Sequence, residues 1–284
     1  MVIQFRKMHG AGNDFILIDD RLNQFPDDNT QLIQKLCRRR TGIGCEGLIL
    51  IRKSEKSDFS MRFFNPDGKE ASMCGNGARC IALLAFDLGV AESKMQFETK
   101  AGTVDAEILG KDVKLHLPPP SDLENDKTLT IPSGSEIPYD SINTGVPHAV
   151  VFTENLSSYP VLHIGQAVIK HEDFAPHETN VNFVEIGDNG DLNIRTYERG
   201  VEDETLACGT GITAAAIISA LKGKVQPPVT VRSAGGDTLT VGFTIDNDSI
   251  DNVTLTGPAE YVFCGEFETK DSAELSNKNE VSHA

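Results

Sequence analysis

MCGNGARCIALLAFDL, residues 73–88, opens with a cysteine and two glycines and continues as an apolar run. ACGTGITAAAIISAL, residues 207–221, repeats the pattern. No charged side chain stands between Arg79 and Asp87, or between Gly211 and Lys222. A helix apolar on every side is buried on every side. At about ten residues, each run is too short to cross a bilayer. The pattern predicts two helices, Ala78–Leu88 and Ile212–Leu221, each wrapped by sheet. Gly89 and Gly223 follow as C-caps.

The surroundings of the two stretches keep step. Cys208 follows Cys74 by 134 residues. Phe64-Asn65-Pro66-Asp67-Gly68 precedes the first cysteine, and Tyr197-Glu198-Arg199-Gly200 the second. Lys100-Ala101-Gly102-Thr103 follows the first helix, and Ser233-Ala234-Gly235-Gly236-Asp237 the second. His9-Gly10-Ala11-Gly12-Asn13-Asp14 opens one half, and Thr144-Gly145-Val146-Pro147-His148 the other. Every offset lies between 133 and 135. Four matches in one order argue for an internal duplication and two similar domains. Alternating runs such as Phe15–Asp19, Leu48–Arg52, Val181–Ile186 and Leu192–Tyr197 read as strands. Two further helices are expected, over Gln31–Arg38 behind the cap Asn29-Thr30 and over 163–171. Pro118-Pro119-Pro120 followed by SDLENDKT reads as a linker. It separates a first repeat, 1–120, carrying Cys74, from a second, 121–260, carrying Cys208. Residues 269–284 lack apolar periodicity and read as a disordered tail.

The 284-residue chain carries a formal charge of -16, with an isoelectric point near 4.8. Such a chain repels phosphate backbones and anionic lipids, so neither nucleic acid nor a membrane surface is an expected partner. A local basic patch still suits a small anion. MVIQFRKMHG at the start has no apolar secretory core and reads as a strand. The six cysteines, at 37, 45, 74, 80, 208 and 264, form no CxxC pair and no zinc-like spacing with histidine. No metal is expected, and the thiols are expected free in a reducing cytoplasm.

A thiol at a helix N-terminus faces unpaired N–H groups and the positive end of the helix dipole. Both favour thiolate and are expected to lower the thiol pKa. Such an end also binds a carboxylate. Two of them across one cleft would put a sulfur on each face of a substrate α-carbon. That geometry suits stereochemical inversion: one thiolate removes the α-proton and the opposite thiol returns one. A lone Cys before Gly is more often structural, and a redox pair is a further reading. The duplication favours function for Cys74 and Cys208. Cys37, Cys45, Cys80 and Cys264 lack counterparts and read as structural. His148 is either a satisfied core residue or a group that tunes a thiol. Glu198 and Arg199 form either a surface pair or contacts to an ammonium and a carboxylate. Asn13, Asn65, Asn76, Asn180 and Asn182 are expected in or beside turns, where they would also suit a zwitterionic ligand.

Taken together, KMHGAGNDF (7–15), TGIGCEGLI (41–49), FFNPDGKEASMCGNGARC (63–80), NTGVPHAVV (143–151), TNVNF (179–183) and YERGVEDETLACGTG (197–211) closely resemble the diaminopimelate epimerase family. Proline racemase-like enzymes share the paired-cysteine logic and are the nearest rival; a non-catalytic small-anion binder is a more remote one. The resemblance implies an α/β (α+β) fold. It consists of two pseudo-symmetric domains, each a mostly antiparallel barrel-like sheet around a central buried helix. A last strand, 261–268, returns to the first domain. It also implies interconversion of LL- and meso-diaminopimelate in lysine and peptidoglycan precursor synthesis, with no cofactor. A homodimer is among the assemblies it allows. Cys74 and Cys208 would be the acid/base pair. Asn13, Asn65, Asn180 and Arg199 would hold the distal end of the substrate. Gly75, Asn76, Gly209 and Thr210 would hold the reacting carboxylate, and Glu198 would contact substrate and, with His148, modulate the thiols. The chain departs from many members at Val146 and Gly47, where they have Asn and Gln. It also has one residue more between YERG and ACGTG than some members.

Overall fold

The structure, a computed structural model, describes residues 2–247 and 249–269. The expected tail from 270 onward lies outside the described residues. The first half runs β1 (Val2–Gly10), β2 (Asn13–Asp19), α1 (Thr30–Cys37), β3 (Gly47–Arg52), β4 (Phe59–Phe64), β5 (Glu70–Ala71), α2 (Gly75–Asp87), β6 (Lys94–Thr99), β7 (Gly102–Leu109) and β8 (Asp112–His116). β9 (Ser121–Thr130) comes next. The second half repeats the order: β10 (Glu136–Asn143), β11 (Pro147–Phe152), α3 (Val161–Ile169), β12 (Asn180–Ile186), β13 (Leu192–Glu198), β14 (Asp203–Thr205), α4 (Gly209–Leu221), β15 (Val229–Arg232), β16 (Thr238–Asp246) and β17 (Ser249–Pro258). β18 (Glu260–Glu268) follows.

Strand pairing duplicates as faithfully as element order. β1 is antiparallel to β2, as β10 is to β11. β2 runs parallel to β3, as β11 does to β12. β4 and β6 are parallel, as are β13 and β15. The halves join edge to edge through β8 and β17, with Leu115 opposite Leu255. Each half then lends a strand to the other. β9, which leaves the first half, lies antiparallel to β10. β18, which leaves the second, lies antiparallel to β1.

The stretch read as a linker is therefore a correction: residues 121–128 belong to β9. Its side chains are exposed except Leu129, which is why the composition looks unstructured. Its backbone pairs all the same, with Leu129 opposite Ile137. A ladder needs N–H and C=O groups rather than apolar side chains.

Both faces of the central strands are covered, so they read as continuous apolar runs. Phe15 and Leu17 of β2, with Ile49 and Ile51 of β3, face α2. Ile16, Ile18, Leu48 and Leu50 face the other way, onto Ile33 and Leu36 of α1. In the second half Val150 and Val184 face α4, while Val151 and Phe183 face the layer of α3. α4 is buried from Gly211 to Ala220. Each of its three isoleucines contributes about 1.5–3 kcal/mol by leaving water.

The central helices begin at Gly75 and Gly209, ahead of their apolar runs. Cys74 and Cys208 are the N-caps, with extended backbone at φ -139°, ψ 121° and φ -115°, ψ 107°. The first turns close through Ala78 N–H to the Cys74 carbonyl (2.7 Å) and Ile212 N–H to the Cys208 carbonyl (2.9 Å). Gly89 and Gly223 end the helices in the left-handed region, at φ 63° and 68°. Val90 N–H reaches back to the Ala85 carbonyl, and Lys224 N–H to that of Ser219, as in a glycine-terminated C-cap. Among the described residues no helix is long and apolar enough to cross a membrane.

Candidate active site

The two N-caps meet where the repeats meet. Asn76, in the first turn of α2, donates from Nδ2 to the carbonyl of Ala207, the residue before Cys208, at 3.2 Å. A Cβ on Gly209 would lie 3.9 Å from Asn76 Oδ1. The turn between β1 and β2 completes the seam. Ala11 and Gly12 have φ of 53° and 80°, and a Cβ on Gly12 would lie 3.0 Å from Leu206 Cδ1. The first-repeat hairpin thus rests on the second-repeat cysteine loop.

Cys74 is half-buried and Cys208 buried. Neither side chain makes a capping hydrogen bond to its helix, but the first-turn N–H groups, of Asn76 and Gly77 at Cys74 and of Gly211 at Cys208, act on the sulfurs electrostatically. Thr210 Oγ1 lies 3.4 Å from Cys208 Sγ. The expectation of lowered thiol pKa values is overturned. Burial is the largest effect and raises both, Cys208 to about 12, and the Glu198 carboxylate adds to the rise at each sulfur. Helix-end N–H groups lower both but do not outweigh the loss of water.

Glu198, the last residue of β13, is itself raised by burial. Asn180 Oδ1 accepts the Arg199 N–H at 3.0 Å, and Arg199 Nη1 donates to the His177 carbonyl at 2.6 Å. Thr144 Oγ1 donates to the Thr210 carbonyl at 2.8 Å, tying the loop before β11 to the first turn of α4. Asn13 opens β2, with Nδ2 3.4 Å from Glu46 Oε2 and a buried Oδ1 that has no hydrogen-bond partner among the described residues. Asn65 sits exposed in the turn after β4, where its N–H and C=O bond Lys69 and Gly68.

Asn76 is helical, and Asn180 and Asn182 lie in β12. Asn182 is fully buried and bonds His148 Nδ1 (3.0 Å), the Ala149 carbonyl (3.1 Å) and Thr196 Oγ1 (3.0 Å). His148 is fully buried, and burial first and Arg199 second push its pKa down to about 3. Sequence reasoning passed over Arg79, Thr144 and Thr196. Arg79 had a readable signal: it is the only charge in an otherwise apolar turn of helix. The departures have local settings. A Cβ on Gly47 would lie 2.4 Å from Phe63 Cε2, so the Phe63 ring fills that side-chain space. The carbonyl of Val146 accepts the Thr144 N–H at 3.2 Å. Among the described residues no group of three or more His, Cys, Asp or Glu could hold a metal ion.

Solved structures with this architecture include a hydroxyproline epimerase from Agrobacterium vitis with bound trans-4-hydroxy-L-proline. It aligns with a TM-score of 0.70 at 19% identity, covering 96% of this chain and 94% of that one. A phenazine biosynthesis protein of the PhzF family from Bacillus anthracis aligns at 0.74 and 17% identity, covering 95% and 100%. At such identities the likeness is one of fold.

Sequence relatives are nearer. Diaminopimelate epimerase from Aquifex aeolicus is 45% identical over 275 residues, covering 93% of this chain and 97% of the relative. That of Chlorobaculum tepidum is 44% identical, covering 91% and 98%. A sequence model of diaminopimelate epimerase matches residues 5–118 and 141–262, skipping β9 and the start of β10 but taking in both cysteine loops and the seam between them. With paired N-cap cysteines in a duplicated fold and this breadth of similarity, the chain belongs to the diaminopimelate epimerase family.

Proposed function

We propose that this protein inverts one α-carbon of diaminopimelate, interconverting the LL and meso forms, with Cys74 and Cys208 as the two bases. The observation that carries the reading is the meeting of two equivalent N-cap cysteines across the repeat seam, bridged by Asn76 and Ala207. In one direction a thiolate takes the α-proton and the opposite thiol protonates the other face; the roles exchange in reverse. The reacting carboxylate lies at the first turns Gly75-Asn76 and Gly209-Thr210, where both helix ends favour the charge it gains. Asn13, Asn65, Asn180 and Arg199 hold the distal amino-acid end. Glu198 and His148 set the electrostatics of the sulfurs.

A sulfur whose proton is held tightly is, once ionised, a stronger base toward a weakly acidic C–H. The raised thiols suit that need, provided one proton leaves the pair. The product, meso-diaminopimelate, serves lysine and peptidoglycan precursor synthesis. The reading extends to a cytoplasmic location, in keeping with unpaired cysteines, and to a homodimer, which sedimentation velocity would test.

Incubation with LL-diaminopimelate in deuterated water is the decisive experiment. Deuterium at the α-carbon together with meso product is expected. No exchange from either isomer, with thiols reduced, overturns the reading.

A further inference from the structure

Thr144 is buried in the turn between β10 and β11. Its Oγ1 donates to the Thr210 carbonyl at 2.8 Å, and its N–H to the Val146 carbonyl at 3.2 Å. Gly145 beside it has φ 113°, a conformation that residues with a side chain rarely adopt. The Gly145 N–H bonds Asn143 Oδ1 at 3.0 Å. A Cβ on Gly145 would lie 3.8 Å from Thr210 Cγ2, which places the Thr210 methyl group beside the glycine. Thr210 Oγ1 lies 3.4 Å from Cys208 Sγ. A β-branched side chain has few staggered positions about its first bond. With its methyl group at Gly145, Thr210 presents its hydroxyl to the sulfur. The first repeat lacks this arrangement. At the common offset of 134 the equivalent residues are Gly10 and Asn76. A Cβ on Gly10 would lie 2.8 Å from the Asn76 carbonyl oxygen, so bare backbone approaches the same carbonyl. The Asn76 side chain is committed to Arg79 (2.8 Å) and to Ala207 (3.2 Å).

We propose that Thr144 is a positioning residue of the second half-site: by gripping the Thr210 carbonyl it holds the Thr210 hydroxyl against the Cys208 sulfur, where that hydroxyl serves the thiolate as a donor. A thiolate only accepts, while a hydroxyl both donates and accepts. The one contact therefore fits both protonation states of Cys208. When the sulfur loses its proton, the hydroxyl turns its own toward the new charge, and a hydrogen bond to an ionised group is the stronger kind. That bond replaces part of the hydration a buried sulfur lacks. Thr210 touches the reacting sulfur, and Thr144 acts through Thr210. Glu198 and Cys74 also act on Cys208, and the substitutions below leave both in place.

The inference rests on the two-thiol reading, and its first readout needs no substrate. Iodoacetamide alkylation at mildly alkaline pH is followed by peptide mass, with Cys74 as the internal reference for Cys208. The proteins compared are wild type, Thr144→Val, Thr144→Ser, Thr210→Val and the double valine variant. Thr144→Val keeps the shape and removes the hydroxyl. It should lower the Cys208-to-Cys74 ratio about three- to tenfold, the effect of about one pH unit in thiol acidity partly offset by a more nucleophilic thiolate. kcat should fall by a similar factor with KM nearly unchanged, since the lost interaction is with the sulfur. Thr144→Ser should restore both. Thr210→Val should lower the ratio at least as far, and the double variant no further, because the two residues act in series. Wild-type ratios in Thr144→Val overturn the proposal, as do equal losses in the Val and Ser variants or an additional loss in the double variant. If Thr144→Val does not fold, Thr210→Val decides: a wild-type ratio there overturns the proposal equally. Absence of diaminopimelate turnover by the wild type would count against the proposed function and leave the alkylation ratios readable.

Discussion

Ile49 and Asn182 stand at equivalent positions in the two repeats, each directly beneath the first-turn glycine of its central helix. A Cβ on Gly77 would lie 2.6 Å from Ile49 Cδ1, and one on Gly211 2.2 Å from Asn182 Oδ1. The pattern extends sideways: Phe15 and Phe63 flank Ile49, while His148 and Thr196 flank Asn182. One thiol loop rests on an apolar floor and the other on a hydrogen-bonded one. A duplicated scaffold therefore carries two chemically different half-sites.

The polar floor dictates a tautomer. The Ala149 carbonyl only accepts, so it faces the Asn182 amide nitrogen, and the same nitrogen faces His148 Nδ1. Nδ1 therefore accepts and Nε2 carries the proton. Nitrogen-15 NMR should show a neutral Nε2–H imidazole that does not titrate between pH 5 and 8. An imidazolium signal near neutrality contradicts this. Linkage gives a stability corollary. The unfolded chain binds this proton near pH 6.5 and the native state only near 3. Native stability should fall as pH drops through that window, with no further loss from this group below it.

Gly77→Ala and Gly211→Ala should each force a methyl group into its floor. Overpacking of this kind costs about 1–3 kcal/mol. The cost should appear as a lower midpoint in urea unfolding, with kcat/KM falling because the cysteine loops shift. Wild-type stability and activity in both variants would rule out the close approach.

Glu198→Gln should make both sulfurs easier to ionise, since the carboxylate raises each. The sign follows from like charges: a thiolate forms at lower pH once its negative neighbour is neutral. Alkylation midpoints of Cys74 and Cys208 should both move down. Movement of only one would show that Glu198 serves a single half-site.

Lys222→Met tests the grip of the second repeat on β9. Lys222 Nζ bridges Asp126 of β9 (2.8 Å) and the buried Asp140 of β10 (2.9 Å). Its loss leaves Asp140 with the Asp126 N–H as its remaining bond. Breaking a buried pair costs about 3–5 kcal/mol. A partly exposed Lys222 should bring this to the low end, and Lys222→Met/Asp140→Asn should recover part of it. Equal stability of the wild type and the single variant excludes the bridge.

Much of this was legible in sequence, because it depends on pattern repeated in register. Two helices with long uncharged runs, a common offset and glycines past each helix end are local signals, and each corresponds to an observed element. β9 was not legible, since its stability comes from backbone bonds to β10 rather than from side chains. The cysteine environment was half legible. The N-cap geometry follows from Cys-Gly-x-Gly before an apolar run, but the rise in both thiols comes from burial by residues far away in sequence. Asn182 falls in the expected strand Val181–Ile186, but only the folded chain shows it under Gly211.

The exchange of β9 and β18 sets a timetable for folding. β1 begins at Val2, yet its partner on one edge extends to Glu268. The second repeat can pair β9 with β10 as soon as both are made, because they are neighbours in the chain. The first repeat must wait with an open edge until almost the whole described chain has been synthesised. Contacts this distant in sequence form late and leave strand edges exposed meanwhile. The half translated first is thus the last to be sealed, and the first turn of α2 meets its partner only once Ala207 and Cys208 have been built.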